Sequence, residues 1–166
     1  MPNKRASVTE RGVSMAIAAL ITWIITAGFG AFMLARWASR GGVRHAEGAG
    51  TNLPPYRVFT HFGLAAAGLI LWIVYLVTDS TLLAWIAFAD LVVVASIGLV
   101  MVMQWAKDGR AAMAAAAASS GQFRADASGV DLAEQHIPRP PVVLHGIFAV
   151  STVVLVLLSA LGIGGS

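Results

Sequence analysis

VFTHFGLAAAGLILWIVYLVTDSTLLAWIAFADLVVVASIGLVMVMQW, residues Val58 to Trp105, contains two apolar runs of helical length separated by one short polar break. About 20 apolar residues in an α-helix cover the roughly 30 Å hydrocarbon thickness of a bilayer. The first run spans about 58–77 and starts behind Pro54 and Pro55, which a helix tolerates at its start but not in its interior. Thr78-Asp79-Ser80-Thr81 supplies a turn and an N-cap, and the second run follows over about 82–105. A connection this short forces the two helices into an antiparallel hairpin, packed side by side.

Two further apolar runs flank this hairpin. The first, about 13–35, follows Lys4, Arg5 and Arg11. It exceeds the about 7–15 residues of a signal-peptide core and leads straight into charge at Arg36, so a retained transmembrane helix is expected. The last, about 142–163, stands behind Pro138, Pro140 and Pro141. The expected fold is therefore an all-α, antiparallel up-down-up-down bundle of four transmembrane helices, with residues 1–166 forming a single membrane domain. Ala114 to Ala118 should extend the third helix beyond the membrane. The rest of the 107–141 loop, from Ser119-Ser120-Gly121 to Pro141, reads as disordered or as a loose surface segment.

Composition agrees with a bilayer as the main solvent. Of 166 residues, 58% are hydrophobic and 11% charged, where soluble domains carry about 45–50% and about 25%. The net charge of +3 comes from Lys and Arg beside the apolar runs, which marks topology and gives no reason to expect a nucleic-acid partner. Arg36, Arg40, Arg44 and Arg57 fall in one long loop, and Lys107, Arg110, Arg124 and Arg139 in the other. The positive-inside rule then puts both long loops in the cytoplasm and both termini outside, against the pull of three N-terminal cations. Richness in Ala, Val and Gly fits a high-GC bacterial source and a bacterial plasma membrane. Cysteine is absent, which excludes disulfides, thiolate metal sites and thiol catalysis. With no phosphate loop, nucleophile elbow, dinucleotide fingerprint or HExxH in the sequence, an enzyme acting on a soluble substrate is not expected, and an electron-transfer subunit is the most that the motifs allow.

Polar residues inside the apolar runs carry the functional expectations, because an ionisable group at the bilayer centre costs about 2.5–3.5 kcal/mol on insertion scales. His61 and His145 each lie about one turn into helices that run the same way, so both imidazoles reach the same depth at the same face. In an up-down-up-down bundle those helices stand at opposite corners, about 11–14 Å apart when neighbours are about 8–10 Å apart. Two imidazoles at about 2 Å from one metal span a gap of that order. Gly28 and Gly30 on the first helix and Ala95 and Gly98 on the third are small residues near the same level, where the edges of a porphyrin would pass. Arg36, Arg57, Lys107 and Arg139 ring that end and offer partners for propionates.

FTHFGLAAAGLILW (59–72) and PVVLHGIFAVSTVVLV (141–156) together resemble the small four-helix b-type cytochromes, which hold haem between histidines of different helices. The resemblance implies one haem b with His61 and His145 as iron ligands, Gly28, Gly98, Arg57 and Arg139 around it, and electron transfer as the role. Other readings of the same residues stay open. Both histidines could simply sit solvated at the interface. Met33, Met101 and Met103 near the same face would suit copper with imidazole. Asp90, about 14 Å into the third helix, is either a packing hydrogen-bonder or the centre of a proton or cation pathway in a small transporter. A non-enzymatic accessory or scaffold subunit of a membrane complex is the remaining class.

Overall fold

A computed structural model describes residues 4–43, 51–119 and 132–163. Four helices dominate it: α1 (Lys4–Ser39), α2 (Pro55–Thr78), α3 (Thr81–Ser119) and α4 (Arg139–Ala160), with a short 3-10 helix at Ala133–His136 before α4. All four are long and apolar enough to cross a membrane, over Met15–Ser39, Pro55–Thr78, Thr81–Ala114 and Arg139–Ala160. The chain is thus a small multi-pass membrane protein built as an all-α four-helix bundle.

The helices overrun their apolar cores. Hydropathy marks what lies in lipid, whereas a helix stops where its hydrogen-bond ladder is interrupted, so α1 continues through Arg36 and Trp37 and α3 through the alanine run. The proline pairs stand at the starts of α2 and α4, where their missing N–H groups cost nothing. Asp79 closes α2 in the left-handed conformation (φ 54°), and its N–H donates to the Tyr75 carbonyl at 2.8 Å. Aspartate is among the few residues with a β-carbon that visit this region readily. Only Asp79 and Ser80 separate α2 from α3, so the expected hairpin forms.

The bundle is two tight pairs laid together. α1 packs most extensively on α4 and α2 on α3, while α1–α2 and α3–α4 meet less closely, leaving α1/α3 and α2/α4 as the diagonals. Phe29 and Phe148 stack at 6.2 Å within the α1–α4 pair. Outward-facing Ile21, Ile24, Ile70, Leu99 and Val150 are exposed, as lipid contacts require.

Two packed layers occupy the interior. Near one end lie Ala16, Ala19, Trp23, Trp72, Ala84, Ala87, Leu91, Val156 and Ala160, with Trp72 wholly buried. The Trp72 indole donates to the Ala16 carbonyl at 3.2 Å, tying α2 to α1 of the other pair. Near the other end Trp37, Leu53, Val58, Ala133 and Ile137 form a second cluster. This corrects the expectation for the long loop. Residues 120–131 lie outside the described part, but Leu132 to Pro138 is packed, because Glu134 and its neighbours find hydrogen-bond and apolar partners on the helix ends.

Gly68 lets the α2–α3 pair close against Asp90: a β-carbon there would collide with the Asp90 carboxyl and lie 3.1 Å from the Trp23 ring. Gly63, one turn earlier, is exposed with open space around it. Gly68→Leu should therefore destabilise the bundle by about 1–3 kcal/mol, the range for overpacking, and Gly63→Leu should not. Thermal unfolding in detergent, followed by circular dichroism, checks this; equal melting points for the two variants would mean that close α2–α3 approach is not what holds the pair.

Candidate functional site

Both histidines lie at the level between the two buried clusters. On α2, His61 points off the inward stripe, and its Nδ1 lies 3.1 Å from the Val94 carbonyl of α3. On α4, His145 does the same toward α1, with Nδ1 2.9 Å from the Thr26 carbonyl. A carbonyl oxygen only accepts, so in each neutral ring the proton sits on Nδ1 and the lone pair on Nε2. No protein hydrogen bond engages either Nε2 among the described residues. The two rings face each other across the seam between the helix pairs, with centroids 6.3 Å apart and planes inclined by 54°.

Glycine makes room for each ring. A β-carbon on Gly98 would come within 3.0 Å of His61 Cε1, and one on Gly30 within 3.2 Å of His145 Cε1. Thus each imidazole lies on the backbone of the neighbouring helix that also accepts its proton. Thr26, Gly30, His61, Ala65, Gly98, His145 and Ala149 are all only half-buried here, whereas Trp23, Trp72 and Trp37 in the layers on either side are closed off.

The expected site residues divide accordingly. His61, His145 and Gly98 come together, joined by Gly30. Gly28 does not: it is exposed with nothing near a β-carbon, because two residues of helix turn it about 200° from Thr26, to the opposite face of α1. Gly98 and Gly30 also serve differently from the expectation, lying beneath the rings and not at a macrocycle's edge. Arg57 lines an outer groove between α2 and α3, and Arg139 is exposed, with Nη2 3.7 Å from the Met113 sulfur. Arg36 has its Nε buried with no hydrogen-bond partner.

The copper alternative loses its ligand set, since Met33 and Met101 pack against the Trp37 cluster while Met103 is exposed. Among the described residues no group of three or more His, Asp or Glu is positioned to hold a metal ion. Asp90 stands one layer deeper than His61, on Gly68, with Oδ2 buried and without a partner. It does not join the threonines at its depth: Thr152 Oγ1 lies 3.0 Å from Thr22 Oγ1, linking α4 to α1.

Sequence reasoning missed the cover over this site. Glu134, fully buried, accepts from the Thr51 hydroxyl at 2.8 Å and from the Asn52 N–H at 2.6 Å. The Trp105 indole donates to the Glu134 carbonyl at 3.1 Å, and the Trp37 indole to Thr51 Oγ1, also at 3.1 Å. Two loops and the ends of α1 and α3 are thereby clasped across the histidine end. The signal available beforehand was weak: one glutamate in a polar loop and two tryptophans that also fit an interfacial belt.

Searches against protein-family models, curated proteins and solved structures returned no match to this chain.

Glu134→Ala would remove the acceptor of the Thr51 hydroxyl and the Asn52 N–H, a loss of about 0.5–1.5 kcal/mol for each bond. Hydrogen exchange should show the Asn52 amide losing protection while the α2–α3 hairpin keeps its own. Unchanged protection at Asn52 would show that the clasp is not what holds this loop.

Proposed function

We propose that the protein binds a single b-type haem between α2 and α4, with His61 and His145 as the two axial ligands, and that its role is electron transfer within the membrane. The observation that carries this reading is the pair of facing imidazoles. Two imidazoles ligating one iron from opposite sides at about 2 Å each have ring centres about 6 Å apart, and these rings stand at 6.3 Å. Their tautomers agree as well. Metal-ligating histidines usually donate their other N–H to a carbonyl or carboxylate, which fixes the ring and leaves the second nitrogen as donor to the metal.

The surroundings fit a flat group. The seam between the helix pairs is the looser interface, the residues around the histidines are half-buried, and Gly30 and Gly98 leave no side chain between ring and backbone. Arg36, with a buried unpartnered Nε on the loop side of this layer, is the residue to receive a propionate. A bound haem would supply reversible one-electron chemistry. The protein's own contribution is to hold both rings in one protonation state and to keep bulk water away through the Glu134 clasp. Placement in a bacterial plasma membrane with the long loops in the cytoplasm belongs to the same reading, on the bias of Lys and Arg toward those loops.

Purified in detergent from haem-supplied cells, the protein should show a Soret band with the spectrum of six-coordinate low-spin iron. His61→Ala and His145→Ala should each abolish that spectrum. Gly98→Val, which drives a side chain into the His61 ring, should lower haem content severalfold while leaving helix content unchanged. A stable, colourless wild-type preparation would dispose of the proposal and leave an accessory or scaffold subunit as the reading.

The buried, unpartnered Oδ2 of Asp90 favours a second reading, a small proton or ion pathway centred on that carboxyl. It predicts a pH-dependent flux in liposomes that Asp90→Asn abolishes without loss of helix content. The same flux from wild type and variant would eliminate it.

A further inference from the structure

On the outer side of the α2–α3 hairpin runs a groove of about 410 Å³, lined by Tyr56, Arg57 and Thr60 of α2 and by Ser96, Ile97 and Val100 of α3. Its chemistry changes with depth. Tyr56 and Arg57 sit in the first turn of α2, where the span meets the interface, and the Arg57 guanidinium lies 6.0 Å from the Tyr56 ring centroid. Among the described residues that ring is the one partner of the Arg57 cation, and no carboxylate neutralises it. About one turn deeper come two hydroxyls, Thr60 from one wall and Ser96 from the other. The Ser96 hydroxyl donates to the Val92 carbonyl at 2.7 Å, so its oxygen is held in place with lone pairs free. Ile97 and Val100 supply apolar surface between them.

We propose that this groove is a binding site for one anionic phospholipid, with the phosphate against Arg57, the ester region beside Thr60 and Ser96, and the first methylenes along Ile97 and Val100. Charge complementarity selects the headgroup, since Arg57, the cation lining this groove, stands in the first turn of α2, where the span meets the phosphate region. The apolar wall, open sideways to the bilayer, selects a lipid over a soluble anion, which could use the arginine but none of the rest. A second copy of the chain fits poorly. A two-fold contact through this groove would set Arg57 against Arg57, and like charges at a self-complementary interface repel.

The site adjoins the histidine layer without depending on what that layer binds. Thr60 precedes His61, and Ile97 precedes Gly98, on which the His61 ring rests. A lipid held here fills the back of the wall that carries His61.

The test uses the full chain in phosphatidylcholine bilayers containing a trace of spin-labelled phosphatidylglycerol. The motionally restricted part of the spectrum gives its association relative to spin-labelled phosphatidylcholine. Wild type should prefer the anionic lipid by about fivefold, the factor corresponding to about 1 kcal/mol per basic residue near the surface. Arg57→Gln and Val100→Trp, which remove the cation and fill the groove, should each bring the ratio close to one. Lys107→Gln, a basic residue at the same end but outside the groove, should leave it unchanged. The proposal is overturned by a wild-type ratio of one, by a fall in Lys107→Gln equal to that in Arg57→Gln, or by a cross-linkable dimer that Val100→Trp abolishes. Helix content by circular dichroism, equal across all variants, keeps a folding defect from counting as support.

Discussion

Each imidazole in this bundle is held by a backbone carbonyl of the helix beside it, and most of the architecture near the histidines follows from that. In hydrocarbon an unsatisfied N–H costs several kcal/mol, so a buried ring must place its proton on an acceptor. The Val94 and Thr26 carbonyls provide that acceptor while remaining in their helices, since a carbonyl has two lone pairs. The approach needs helix backbones close enough for a ring to rest on them. Gly98 and Gly30 allow it, and bulkier residues would push each ring off its carbonyl. One requirement thus determines the tautomer, the ring orientation and the identity of two glycines.

The same bonds explain why the bundle is organised as pairs. His61 ties α2 to α3 and His145 ties α4 to α1, so each ring strengthens a pair that already packs tightly and faces the other pair across the looser seam. Polar bonds elsewhere repeat the pattern: Thr152 meets Thr22 within the α1–α4 pair. Trp72 is the exception, bonding from α2 to the Ala16 carbonyl of α1 and closing the seam below the histidine layer. Above it the Glu134 clasp closes the other end. The histidine layer is bounded on both sides by buried clusters around Trp72 and Trp37.

Asp90, half-buried, and Glu134, fully buried, show how differently two acids can be placed. Glu134 receives donors on both carboxyl oxygens and holds loops together, as polar groups away from water normally must. Asp90 has an oxygen pressed on the Gly68 backbone with no donor in reach. A helix-packing hydrogen bond would look like the first; the second leaves a buried carboxyl oxygen without a donor, a cost that packing alone does not offset.

Hydropathy and spacing alone determined the four helices, the α2–α3 hairpin and the common depth of His61 and His145, because bilayer thickness and a two-residue connection admit few other solutions. The diagonal placement of the histidines was legible for the same reason. Helical periodicity also held enough information to put Gly28 on the wrong face, since 200° separates it from Thr26 whatever the tertiary structure. What only the folded chain decided were relations across helices: which carbonyl each ring reaches, that Gly30 and Gly98 lie under the rings, that Arg57 turns to an outer groove, and that Glu134 draws a polar loop into the interior. Those depend on the relative rotation and spacing of helices far apart in sequence. Side-chain packing sets both, and no local pattern encodes either.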